Sequence, residues 1–214
     1  GGGGLNPVKR MHTVKAHGKI FSSSGVKRLV YALASPAALL IVPLQGRPQQ
    51  AASLPLVAHG RSAYSIVVAD QAPKADRDAA LALQKYLLQV SGATLPVTAE
   101  KDSRGAPAIF VGGTAHLGKV VPHLPGGDGF VIATDARDVY LAGGDARGTA
   151  YSVPAFLEKF AGCRLYAPGE LSFRPAPDIS VPAGIRVEEH PAFVYREIYY
   201  PFEAADDYLG WHRL

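Results

Sequence analysis

The acids that could supply a catalytic pair are Glu197, Glu203, Asp206 and Asp207, which cluster near the C-terminal end of the sequence. Two carboxyl groups, one protonated and one ionised, are the minimal kit for acid–base catalysis of hydrolysis. Their spacing defines no such pair, and a surface loop is the simpler reading, so no catalytic residue is assigned. His59, His116, His123, His190 and His212 show no close metal-ligand spacing such as His-Glu-x-x-His, so neither a metal nor another cofactor is expected. Ser152 and Ser172 lack a nucleophile-elbow context. The single Cys163 permits no internal disulfide and reads as a small buried hydrophobe. The run Gly143-Gly144-Asp145-Ala146-Arg147-Gly148-Thr149 has the look of a phosphate cradle between strand and helix. Yet Gly148 is followed by Thr149 and Ala150 rather than by Lys and Ser or Thr, and the Gly-x-Gly-x-x-Gly fingerprint is missing. A tight turn accounts for the glycines.

The element that holds Ser152, Cys163 and the glycine run extends from Val139 to Gly169. Val139–Ala142 is an apolar run of strand length, and the two glycines turn the chain. A helix is then predicted from the stripe Thr149, Ala150, Val153, Phe156, Leu157 and Phe160, with Glu158 and Lys159 facing water. Pro154 falls inside it, where a missing N–H costs about 3 kcal/mol unless the helix bends; a kink is expected there. Gly162 stops the helix, and Cys163–Ala167 returns as a strand.

Upstream, Tyr64–Ala69 reads as a first strand. A helix entered through Pro73 carries the stripe Ala80, Leu83, Leu87 and Val90, with Arg77, Gln84 and Lys85 outside it and Gly92 closing it. Ala108–Val111 is a four-residue buried strand, and residues 114–128 read as irregular with one short helix. Gly129–Thr134 and Val139–Ala142, joined by Asp135–Asp138, fit an antiparallel hairpin, and Asp178–Val181 is one more short strand. The expected fold class is α+β, a mixed β-sheet with two main helices packed on one face, preceded by an export leader.

The leader follows from charge. Among the 214 residues, the first 53 hold seven Lys or Arg and no acid, against 22 basic and 18 acidic residues in the whole chain; the remainder therefore has 15 basic and 18 acidic residues, a net of −3. The overall +4 belongs to the leader, and a nucleic-acid partner is excluded on that ground. Met11 is the only methionine; residues 1–10 read as an upstream tag, with translation beginning at Met11. Leu29–Leu44 is uncharged and apolar, shorter than the roughly 20 residues of a spanning helix and broken by Pro36 and Pro43. Ala51, Ala52 and Ser53 then offer a cleavage site, so the mature protein is expected outside the cytoplasm, periplasmic or extracellular, with no stable membrane span. An uncleaved anchor is the alternative.

Four segments carry a resemblance: LALQKYLLQVSGATLPV, AIFVGG, DGFVIATDARDVYLAGGDARGTAYSVPAFLEKFAGCRLYAPGE and PAFVYRE. Together they resemble the small N-terminal domain that precedes the catalytic barrel in bacterial α-glucuronidases and β-N-acetylhexosaminidases, over about residues 62–197. The run RGTAYSVPAFLEKFAGCRLYAPG is the most specific part, and Pro154 departs from it. The resemblance implies a non-catalytic accessory domain of an exported glycoside hydrolase over residues 54–184, after upstream residues and a signal peptide over 1–53. Residues 185–214 would be the junction and the start of a truncated barrel whose first strand is Tyr195–Tyr200. Glycoside hydrolysis usually needs two carboxyl groups about the scissile bond; in the families resembled that pair lies on the barrel, so this chain reads as a fragment with a carbohydrate partner held through the adjoining domain. A freestanding carbohydrate-binding or scaffold module is the alternative.

The same resemblance suggests Arg196 as a sugar-holding residue, although the family's Arg-Gly is Arg196-Glu197 here. A guanidinium suits adjacent hydroxyls or a uronate carboxylate, and Trp211 could offer a platform for a sugar face. The competing reading pairs Arg196 with Glu170 or Glu197 at the junction.

Overall fold

The computed structural model describes residues 52–103, 105–197 and 206–214, all within the unit Arg47–Leu214. The leader up to Ala51, Tyr199, Tyr200 and Glu203 lie outside the described residues, as do the side chains of Asp206 and Asp207. The described chain is α+β, and its main sheet has six strands. Four are parallel: β2 (Ser65–Val68), β3 (Val97–Ala99), β4 (Ala108–Val111) and β6 (Val139–Gly143). β5 (Phe130–Thr134) runs antiparallel to β6, and β10 (Arg186–Glu189) antiparallel to β5, giving the order β10-β5-β6-β4-β2-β3. The expected hairpin is present, closed by Asp135, whose carboxylate accepts from the N–H groups of Arg137 and Asp138 at 2.7 Å each.

Alternation along these strands sorts the core into two layers. Ile66, Val68, Ile109, Val111, Ile132, Val139 and Leu141 face the two long helices, whereas Val67, Phe110, Val131, Ala133 and Tyr140 face the short α2 (Leu117–Val120). Both main helices thus pack on one face, as the sequence pattern predicts. In α1 (Lys74–Ser91) the whole stripe of Ala80, Leu83, Leu87 and Val90 is buried, and Gly92 caps it in the left-handed conformation with its N–H on the Leu88 carbonyl.

The second helix, α3 (Ala146–Phe156), changes winding rather than ending at Pro154. It continues as a π-helical turn over Leu157–Ala161. Pro154 offers no N–H to the turn before it, and the Leu157 N–H is shared between the carbonyls of Val153 and Pro154. This is the form taken by the irregularity expected there.

Three features differ from the sequence reading. An earlier strand, β1 (Ser53–Val57), precedes Tyr64 and pairs antiparallel with β9 (Ile179–Pro182), laying Leu54, Leu56, Val57, Ile179 and Val181 into the core as a separate ribbon. A proline in SLPLV hid it, but Pro55 sits on a two-stranded ribbon, where an edge tolerates the lost donor. β7 (Arg164–Ala167) leaves the main sheet and pairs with β8 (Glu170–Ser172) instead. Finally, the sheet gains β10, a strand that the sequence pattern did not show; the described part of the run after it, Phe193–Glu197, is irregular. No helix among the described residues is long and apolar enough to cross a membrane.

Candidate functional site

The glycine run between β6 and α3 is filled by the protein's own backbone. A Cβ on Gly143 would lie 2.1 Å from the Gly148 carbonyl carbon and 2.2 Å from the Thr149 nitrogen, and one on Gly144 would lie 1.8 Å from the Pro125 oxygen. Asp145 caps the helix, its carboxylate accepting from the Gly148 N–H at 2.8 Å. The position a bound phosphate would take is occupied by this carboxylate and by the 125–129 loop. These glycines serve close backbone packing.

Beside them lies a polar pin that sequence reading missed. Asp76, on the buried face of α1, meets the Gly113 N–H at 3.4 Å, and the Thr149 hydroxyl donates to it. Thr149 in turn accepts from the Gly143 N–H at 3.2 Å. Burial raises the Asp76 pKa, and the bonds from Gly113 and Thr149 pull it partly back. Gly112 makes room: with φ +77° it has no Cβ, and one would sit 1.9 Å from the Asp76 carboxylate. The visible signal was a charge at i−4 from Ala80, on the apolar stripe itself. Thr149→Val should cost about 1–3 kcal/mol at pH 7, because the Gly143 N–H loses its acceptor and Asp76 keeps only the long bond from Gly113. Because the lost bond had lowered the Asp76 pKa, the variant's folded-state value moves further above the unfolded ~3.9. A carboxyl raised on folding destabilises the ionised state, so the penalty should shrink as pH falls from 7 toward about 4. Urea titrations at both pH values measure this; an equal penalty at both would remove Asp76 from the account.

The residues proposed from sequence lie where the C-terminal segment meets α3 and the 125–129 loop. The Arg196 guanidinium pairs with Asp128 at 2.7 Å and donates to the Arg213 carbonyl at 2.7 Å and to that of Phe193, so Asp128 takes the place expected of Glu170 or Glu197. Arg147 reaches the same Asp128 oxygen at 3.6 Å and donates to the Tyr151 hydroxyl at 3.0 Å. Glu197 is exposed and accepts from the Tyr195 hydroxyl. A cavity of about 240 Å³ lies alongside, between Asp128, Tyr151, Glu189, His190, Arg196 and Arg213.

Trp211, in α4 (Asp206–Trp211), is only 4% exposed. Its ring meets Tyr86 edge-on at 5.3 Å, and its Nε1–H donates to Glu158 at 2.8 Å. Glu158, expected in water, is therefore a junction residue; it also pairs with Arg164 at 3.2 Å and Arg213 at 3.7 Å. The space that Trp211 lines is an apolar groove of about 380 Å³ between α1 and α3, walled by Ala79, Ala82, Val153 and Pro154.

The remaining nucleophiles and ligands are dispersed. Ser152 is fully buried and donates to the Thr149 carbonyl at 2.6 Å, and burial pushes the Cys163 thiol up to about 11. His116 pairs with Glu100, His59 with Asp178 and His190 with Glu188, far from one another in sequence. Among the described residues no three His, Cys, Asp or Glu converge.

No protein-family model matches the sequence, and no curated protein is significantly similar to it. Among solved structures, the chain is similar to the GH20 β-N-acetylhexosaminidase of Streptomyces coelicolor A3(2), with 21% identity and a TM-score of 0.46 over 68% of this chain and 25% of that one. It is also similar to a Streptomyces plicatus β-hexosaminidase solved with product, with 19% identity and a TM-score of 0.44 over the same shares. The chain spans about a quarter of the length of these structures.

Proposed function

We propose that this chain carries the non-catalytic N-terminal accessory domain of an exported glycoside hydrolase, α-glucuronidase-like or β-N-acetylhexosaminidase-like, whose carbohydrate is held through the adjoining domain. The observation that carries the reading is how the carboxylates in and around the cavities are used. Asp128 is committed to Arg196 and Arg147, Glu158 to Trp211, Arg164 and Arg213, and Asp78 to Lys74 at 2.6 Å. Most glycosidases use one carboxyl free to give a proton and another free to attack or to activate water, and substrate-assisted ones still need the first. Among the described residues no cavity offers both. Asp128 and Glu158 instead fasten the C-terminal segment to the 125–129 loop and the π-helical turn, which leaves Glu189 as the single uncommitted carboxylate of the Asp128 cavity. Export remains part of the proposal: a leader cleaved around Ala51–Ser53 would hand over directly to β1.

The 214-residue chain should release no aryl group from aryl glucuronides or aryl N-acetylglucosaminides. The coding sequence beyond Leu214 should run on for several hundred residues with barrel periodicity. Turnover that disappears on substituting Glu197, Glu203, Asp206 or Asp207 would overturn the first statement, and an immediate stop would favour a freestanding carbohydrate-binding or scaffold module.

A further inference from the structure

The β7–β8 hairpin presents a largely exposed face, whose one internal tie is the Arg164–Glu158 ion pair. Its register sets Leu165 opposite Leu171 toward the core and Arg164 opposite Ser172 on the other side. Tyr166, two residues beyond Arg164 and at the bulge, is 71% exposed, and Phe173, just past β8, is 36% exposed. Together with Gly162 and Arg174 these side chains wall an open cleft of about 470 Å³, within the ~300–1,000 Å³ of small-ligand sites. No carboxylate is among its walls. Arg174 makes no hydrogen bond or ion pair with any described residue, and the Arg164 side chain, although paired with Glu158, is 55% exposed.

We propose that this cleft binds an acidic sugar, a uronate-bearing oligosaccharide, with Tyr166 and Phe173 against the C–H face of the ring and Arg174 and Arg164 on its carboxylate. Each half of the cleft asks for one half of that ligand. Exposed aromatic rings gain from a flat, partly apolar partner, and a guanidinium fork fits a carboxylate through two parallel N–H bonds. An inorganic anion would leave the rings bare, and a neutral sugar would leave Arg174 without a counter-charge. An acidic peptide supplies carboxylates but no flat C–H face. The inference rests on the carbohydrate-linked reading above, yet it fails separately: absence of binding here would leave the hydrolysis and coding-sequence tests untouched.

The test is calorimetric titration of the 214-residue chain with a galacturonic acid trisaccharide, its methyl-esterified form and triglutamate. The acid should bind, with the ester and the peptide each at least about tenfold weaker. Tyr166→Ala and Arg174→Ala should each weaken the acid by about tenfold while melting temperature stays put, since both side chains are exposed. No binding, equal binding of ester or peptide, or an affinity indifferent to both variants would overturn the proposal.

Discussion

Gly143→Ala is expected to destabilise the chain by about 3 kcal/mol or more, and to leave a large part of it unfolded at 37 °C. The added methyl would have to occupy space 2.1 Å from one backbone atom and 2.2 Å from the next, both in the first turn of α3. Backbone cannot rotate aside as a side-chain tip can. Separating β6 from α3 would also break the Gly143–Thr149 bond and loosen Thr149 from Asp76. Overpacking at a tight site typically costs ~1–3 kcal/mol and occasionally more, against a total stability of ~5–15 kcal/mol. Gly113→Ala is the matched control: a Cβ there meets nothing within 4 Å, so its cost should stay below about 1 kcal/mol. Urea midpoints followed by far-UV circular dichroism compare the two. A Gly143→Ala cost as small as that of Gly113→Ala would show that the junction can spread, and the explanation of the glycine run would fall.

That prediction marks where sequence reading reaches and where it stops. The stripes of α1 and α3 and the β5–β6 hairpin were legible because period 3.6, period 2 and turn chemistry are local properties. The glycine run was legible as a turn only in part. Gly143, Gly144 and Gly148 are small because Pro125, Gly129 and the first turn of α3 lie against them, and such contacts join residues far apart in the chain. β1 and β10 were missed for a related reason: SLPLV and RVEE are weak strands by composition, and they become strands only through partners, β9 and β5, that are distant in the sequence. Asp76 was open to detection as a charge on an apolar stripe, whereas the Asp128–Arg196 and Glu158–Trp211 pairs, 68 and 53 residues apart, were not.

Trp211→Ala bears most directly on what the C-terminal segment is for, and it should cost about 3–5 kcal/mol, the usual range for truncating a large buried aromatic. Three losses combine. The ring leaves its edge contact with Tyr86 on α1, the wall of the groove between α1 and α3 opens, and Glu158 loses the indole N–H while keeping Arg164 and Arg213. Trp211→Phe separates these effects: it keeps most of the apolar contact and removes only the hydrogen bond to a charged acceptor, worth about 1.5–3 kcal/mol. If Trp211 instead offers its face to a sugar, the order reverses: oligosaccharide affinity would fall while the denaturation midpoint barely moved, and Trp211→Phe would retain binding. Arg196→Ala run in parallel adds the second fastening point, since it leaves Asp128 with only the longer contact to Arg147. A double-variant penalty equal to the sum of the single losses would show that the two points act independently. A penalty much smaller than that sum would mean that the segment is already released when either point is broken, and that α4 docks as one cooperative unit.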